Sequence, residues 1–487
     1  MGERPLAKNT LYFTLASIAQ KVIALGYFTV ISNVIGTSQN GMYFLALGIA
    51  TILAVFEDIG LTSVAVREVA KHPEDAGLWT RTVLGWKCFS IPLSIGLAFL
   101  IPVLFGYTPE LTTLVHLAIF VMIADTFSLS LYGILRGLHT LRYESLGIFL
   151  GQSMTALTGL AFVYFHVVSL PLLFVAVIAG SVWNVLFSLY HLVHRLGWGI
   201  LRPSFELGWT PIRLSFAFFL SAVFVKVYSY ADSFILNEIL GEASVGIYAV
   251  AYKFTYAFQF LPLAFIAALY PAMSAEAHDR VALKKTFLDS MWYIALMVFP
   301  IVGGIFALAP EIIRLFFKEE FWSAGLPLQV LIFALLFIFL DYPIGSLLNA
   351  SGRQNTKTAI MGVTMVLNIV TNLIFIPLYG IFGACFSALI SFAFMFFSGW
   401  IVSQNVLRFS VFEFLRRTWG IILSATVMVM VVLVVKSSCS LFFIMPLGAL
   451  VYGFGLLLTR TITADHYQRI RSILTRKSYV EDHPLHE

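Results

Sequence analysis

The chain has 487 residues, of which 60% are hydrophobic and 11% charged, and it carries a formal charge of +5. So apolar a composition excludes an ordinary soluble domain and points to an all-α integral membrane protein, because backbone polar groups in lipid must be satisfied within each segment. The basic excess calls for no nucleic-acid partner; lysines and arginines gathered on one side of a membrane account for it, next to anionic lipid headgroups.

Along the chain run 14 apolar segments, each near the roughly 20 residues that a bilayer crossing requires. The first six lie near 10–35, 41–66, 82–105, 111–135, 143–166 and 168–194. The next six lie near 212–237, 246–272, 288–309, 322–350, 358–377 and 379–403, and the last two near 418–435 and 440–459. The opening run is too long for a signal-peptide core and lacks a small-residue cleavage site, so it reads as a retained first helix. Of the 30 lysines and arginines, 23 fall in the N-terminus and every second connection, from Arg4 and Lys8 to the tail. The other side holds only Arg314, Lys318 and Lys436, an asymmetry that puts both termini in the cytoplasm. Connections such as 37–40, 106–110 and 166–169 are mere turns, leaving no room for an external domain.

The chain also repeats itself. Gly36–Tyr43 and Gly241–Tyr248 both read G-x4-G-x-Y, and the offset of 205 also sets Lys21 on Lys226. The parse is an N-terminal six-helix lobe over 1–208 and a C-terminal six-helix lobe over 209–404. Two additional helices follow over 405–460, then a basic cytoplasmic tail over 461–487. An even number of crossings per lobe makes this a parallel repeat about an axis along the membrane normal, an architecture common among transporters.

Charge inside a span is costly and usually faces a cavity or a partner. Four lysines lie there: Lys21, Lys87, Lys226 and Lys253. Thr10, Thr14, Ser17 and Lys21 share one face of the first helix; Lys226, Tyr230, Ser233 and Asn237 share one face of the seventh. Tyr252, Tyr256 and Gln259 stripe the eighth, with Lys253 at the edge, while Asp125, Ser128, Tyr132 and Arg136 stripe the fourth and Thr364, Asn368 and Asn372 the eleventh. These stripes predict a hydrated cavity between the lobes. Lys21 and Lys226 sit at mid-span, where a cavity cation competes with a structural ion pair; Lys253 stands evenly between the two; Lys87, nearer the cytoplasmic face, reads as snorkelling. Glu57 and Asp58, just before Gly60, are open to three readings: counter-ions for a lysine, a proton site, or caps at a helix break. Asp125, Asp232 and Asp341 read as buried counter-ions ahead of proton carriers.

The prolines within spans mark kinks, with Pro300 before Gly303-Gly304 as a bending point. Cys88, Cys385 and Cys439 are spaced for neither a metal nor a disulfide framework and read as packing residues. No catalytic motif, P-loop or metal site stands out, so the chain reads as no enzyme and needs no cofactor, with coupling to H+ or Na+ left open.

Several stretches resemble the polysaccharide-exporter branch of the multidrug/oligosaccharidyl-lipid/polysaccharide (MOP) superfamily. They are Lys8-Asn9-Thr10, the G-x4-G-x-Y block, Phe56–Leu61, Asp232 ahead of the second block, and Leu348–Arg353 followed by Asn368, Asn372 and Ile376–Ala384. The resemblance spans essentially the whole chain. It implies a flippase that moves polyprenyl-pyrophosphate-linked oligosaccharide by alternating access across a prokaryotic cytoplasmic membrane, alongside membrane lipids and other polysaccharide assembly proteins. In related lipid II flippases, basic residues on the first and eighth helices line the cavity that receives pyrophosphate. Lys21 and Lys253 occupy comparable helices, and Lys226 adds a third cation. Tyr230, Ser233, Asn237, Tyr256 and Asn368 then stand as sugar contacts. The competing readings are a cation-coupled drug or small-molecule antiporter of the same fold, a lipid II flippase, and a membrane enzyme acting on a lipid-linked sugar. The first helix carries Lys21 and no carboxylate, which argues against the drug antiporter.

Overall fold

The computed structural model describes residues 3–462, and within them no side chain at 3–15, 17, 263, 264, 267 or 268. The expected stripe Thr10, Thr14 and Ser17 and most of the tail from 461 therefore lie outside the described residues. Among the described residues every regular element is a helix. The first group comprises α1 (Glu3–Asp58), α2 (Leu61–Lys71), α3 (Ala76–Phe105), α4 (Pro109–Gly137), α5 (Leu141–Tyr164) and α6 (Leu170–Leu196). Then come α7 (Thr210–Leu240), α8 (Glu242–Tyr256), α9 (Leu261–Ala275), α10 (Arg280–Phe316), α11 (Gly325–Ala350), α12 (Gln354–Tyr379) and α13 (Ile381–Leu407). The chain closes with α14 (Val411–Val435) and α15 (Leu441–Leu458).

Twelve of these helices are long and apolar enough to cross a membrane. The count meets the 14 expected crossings once two features are read physically. α1 runs for 56 residues but reverses at Gly36, whose φ of 80° and ψ of 177° are non-helical, so it crosses twice. The eighth crossing is broken into α8, a 3₁₀ turn at Ala257–Phe260 and α9, with Pro262 opening the second piece because its missing N–H costs nothing at a helix start. Pro300 and Gly303-Gly304, expected to bend α10, lie inside a single continuous helix. Cys385 is buried as expected, whereas Cys88 and Cys439 are exposed.

Helix ends follow local chemistry. Asp279 caps α10 by accepting from the N–H groups of Val281 at 2.9 Å and Ala282 at 3.1 Å, and Ser410 caps α14 through Glu413 N at 3.0 Å. The connections rich in arginine and lysine are tied together at one end of the bundle, the basic face. Arg81 pairs with Glu206 at 3.0 Å, Lys284 with Glu413 at 2.8 Å and Arg417 with Asp289 at 2.9 Å. The amphipathic α2 lies at this face and buries Leu61, Val64, Ala65 and Val69 against α4. α14 and α15 pack on α10, where Tyr452 donates to Leu296 O at 2.9 Å.

At the opposite end the two halves of the chain interlock through the repeated motif. A Cβ added to Gly41 would lie 1.8 Å from Glu242 O, and one added to Gly246 would lie 1.9 Å from Thr37 O. The offset of 205 carries 41 to 246 and 37 to 242, so the two contacts are the same contact seen from each repeat. Gly36 and Gly241 share φ 80°, a conformation open to glycine at little cost. Around this seam Asn40 donates to Gly246 O at 3.0 Å and Ser38 to Glu242 at 3.2 Å. Asn33 both donates to Phe316 O at 2.7 Å and accepts from Lys318 N at 2.8 Å.

Gly41→Ala is expected to pry this seal apart. With Cys88 and Cys439 replaced by serine, a Ser38→Cys reporter should react with a membrane-impermeant maleimide at least about threefold faster in the Gly41→Ala chain; no change in rate would mean that the seam yields elsewhere.

Candidate functional site

Beneath the seal lie two adjacent chambers that share lining residues. The larger, of about 680 Å³, is lined by α1, α7, α8, the 3₁₀ turn after it, α9, α11, α12 and α13. Lys21, Lys226, Lys253, Tyr230 and Tyr256 all line it, as does Asp341. Lys21 repels both Lys226 and Lys253, so the three ammonium groups share one field. Among the described residues none of the three has a carboxylate within ion-pair distance. Lys253 stands instead over the rings of Phe28 at 5.6 Å and Phe44 at 5.5 Å. The wall beside it is aromatic: Tyr252 and Tyr256 are 4.1 Å apart between ring centroids, and Tyr230 is 6.2 Å from Tyr252.

A fourth lysine enters the chamber unforeseen. Lys357, which the sequence assigns to a cytoplasmic connection, turns inward and pairs with Asp341 at 2.5 Å and 2.7 Å to its two oxygens. Asp341 is thus the counter-ion expected, with its partner supplied by the next helix across the α11–α12 turn. Four lysines against one aspartate leave the chamber with a formal charge of +3.

The smaller chamber, of about 390 Å³, lies among the first six helices and shares Ala24 and Lys253 with the larger. The α4 stripe of Asp125, Ser128 and Tyr132 lines it. Arg136 turns away to a two-pronged pair with Glu144, one contact at 3.0 Å. Sequence reasoning missed Gln20, Gln152 and Asn184 here, although an amide inside an apolar span is itself a signal.

Other expected site residues lie elsewhere. Ser233 and Asn368 are buried off both chambers, and Asn237 donates to Glu238 at 3.4 Å near the sealed end, so none of these three expected sugar contacts lines a chamber in this structure. Their helices turn those positions into the protein: Asn372 donates to Asp232 at 2.7 Å and to Asn368 Oδ1 at 3.1 Å. Asp232 also accepts from Tyr248 at 2.7 Å, and among the described residues it meets no cation, so it is no counter-ion. Asp125 likewise has no cation partner there.

The three readings of Glu57 and Asp58 separate between the two residues. Glu57 pairs with Lys87 at 3.5 Å, and both side chains are essentially inaccessible, at 0% and 1% exposure. Lys87 therefore does not snorkel; Thr126 donates to the same carboxylate, and the Phe127 ring lies 5.4 Å from the ammonium. Asp58 accepts from Thr62 N at 3.4 Å and from the Thr62 hydroxyl, holding the break where Ile59 and Gly60 both have positive φ.

Residues 6–278, more than half of the chain, match the family model described as polysaccharide biosynthesis protein. The chain belongs to this family. Residues 217–374 also match the MatE model. The chain is 23% identical over 396 residues to the probable low-salt glycan biosynthesis flippase Agl15 of Haloferax volcanii, covering 80% of this chain and 81% of that one. To the lipopolysaccharide biosynthesis protein WzxC of Escherichia coli it is 24% identical, over 73% of its own length and 71% of the relative's. The solved lipid II flippase MurJ, in an inward closed conformation, shares its fold with a TM-score of 0.72 at 17% identity, over 92% of this chain and 99% of that one. An inward-facing MATE family transporter of the MOP superfamily does so at 0.65 and 16% identity, over 80% and 96%.

Removing one partner of a buried ion pair leaves an uncompensated charge and costs about 3–5 kcal/mol. Lys87→Met or Glu57→Gln alone should therefore lower the thermal unfolding temperature in detergent markedly, while the double replacement recovers most of the loss. Equal loss in the double and single variants would show that the pair contributes through shape alone.

Proposed function

We propose that this protein is a flippase carrying polyprenyl-pyrophosphate-linked oligosaccharide from the cytoplasmic to the outer leaflet of a prokaryotic cytoplasmic membrane, for cell-surface polysaccharide synthesis. One observation carries the reading: Lys21, Lys226 and Lys253 converge on a chamber within the helical bundle without counter-ions among the described residues. Lys21 and Lys253 are exposed to the chamber and Lys226 is half-buried, so together they present an unneutralised positive field, and a pyrophosphate supplies an anion with oxygens enough for all three. The same field repels cationic drugs, which sets the antiporter reading aside.

The remaining geometry follows from this assignment. Lys357 is already neutralised by Asp341, so the free positive field lies at Lys21, Lys226 and Lys253 and draws the headgroup to the middle of the bundle. The chamber lining reaches toward the basic face at Asn349 and Lys357, while the Gly41–Gly246 seam closes the other end. Access alternates as two six-helix lobes, 1–208 and 209–404, part at that seam and close at the basic face. The prenyl tail stays in lipid throughout, since its burial in a charged chamber would forfeit its transfer free energy.

A charge-assisted hydrogen bond contributes about 1.5–3 kcal/mol, so Lys21→Gln and Lys226→Gln should each reduce transport roughly 10- to 100-fold while leaving the unfolding temperature unchanged. The measurement is arrival of a fluorescent polyprenyl-pyrophosphate oligosaccharide at the far leaflet of liposomes. Wild-type rates in a folded double variant would overturn the assignment, and sodium- or proton-dependent dye export in its place would restore the antiporter.

A further inference from the structure

The smaller chamber differs in chemistry from the larger, and the pyrophosphate reading leaves it without an occupant. Asp125 is exposed to it, with the Ser181 hydroxyl as neighbour and no cation within ion-pair distance among the described residues. Gln20 and Gln152 are half-buried on its wall and, among the described residues, make no side-chain hydrogen bond. Asn184 is held in place, accepting from Tyr132 at 3.1 Å and donating to Gly180 O at 3.1 Å. Glu144 is neutralised by Arg136. Away from Lys253 at the edge shared with the larger chamber, a ligand here meets one carboxylate without a cation partner and two free carboxamides, a set that accepts and donates many neutral hydrogen bonds.

We infer that this chamber is the saccharide subsite, which rests on the flippase reading. The two chambers sort a substrate by charge: pyrophosphate is attracted by the lysines of the larger and repelled by Asp125, so the attached sugar enters the smaller. At about 390 Å³ it falls within the roughly 300–1,000 Å³ of pockets that enclose small ligands, enough for the first sugars next to the phosphate. Lys253, the lysine common to both linings, stands where the sugar–phosphate bond crosses from one chamber to the other. The Asp125 carboxylate accepts from sugar hydroxyl, amide or ammonium groups, while Gln20 and Gln152 both donate and accept. This selects a neutral, amino or N-acetylated sugar beside the pyrophosphate and rejects a uronic acid, whose carboxylate would face Asp125.

The test uses the full chain in liposomes with three probes: polyprenyl pyrophosphate alone, the same lipid with a neutral N-acetylated disaccharide, and the same lipid with a uronic acid as first sugar. Asp125→Ala should lower transport of the disaccharide lipid tenfold or more while moving the sugar-free lipid within twofold of wild type. Asp125→Asn should raise transport of the uronic-acid lipid relative to the neutral one. Gln152→Ala provides the same comparison should the Asp125 variants fail to fold. Equal losses for the sugar-free and glycosylated lipids, or no loss for either, would overturn the subsite. Failure of the wild-type protein to move any of the three lipids would overturn the flippase reading beneath it.

Discussion

The structure depends on two close backbone contacts, Gly41 against Glu242 and Gly246 against Thr37. Neither tolerates a Cβ, because the carbonyl oxygen already occupies the space where one would stand. Within a membrane, helices gain little from burying apolar surface against one another, so close approach of small residues and interhelical hydrogen bonds do the joining. Here both act at one seam, with Asn33, Ser38 and Asn40 bridging what the glycines bring together. α1 and α8 meet along this seam and both line the chambers: α1 borders each of them, and α8 lines the larger and reaches the smaller through Lys253.

Charge is distributed through this frame under a single rule. A lysine enclosed by protein is paired, as Lys87 is with Glu57 and Lys357 with Asp341, or it faces a chamber that admits water and ligand, as Lys21, Lys226 and Lys253 do. The carboxylates split likewise. Asp232 is stabilised by neutral donors, Tyr248 and Asn372, while Asp125 faces open space. Because the pairs are internally neutral, the field felt by a ligand comes from the few groups left over: Lys21, Lys226 and Lys253 in the larger chamber, and Asp125 with the shared Lys253 in the smaller.

The sequence reading captured long periods well and side-chain directions poorly. The stripe of Lys226, Tyr230, Ser233 and Asn237 is correctly one face of α7, yet that face runs from the chamber at Lys226 and Tyr230 into buried protein at Ser233. A helix face is a property of the sequence; what lies opposite it changes along the helix as neighbours converge. Lys87 illustrates the same point, since depth in the membrane suggested snorkelling while a carboxylate on another helix held the ammonium inside.

The sequence by itself determined the class of protein, the number of crossings, the internal repeat and the candidate lysines of the cavity. These follow from composition, from the length needed to cross a bilayer, and from motifs at a fixed offset, all of which are local along the chain. Only the tertiary structure decided which charges are neutralised and which stand free. Lys357 meets Asp341 and Lys87 meets Glu57 across helix boundaries, and Asn368 turns to Asn372 and Asp232 rather than to the chamber. Partnership between helices is set by their relative rotation and packing, and no periodicity within one segment encodes it.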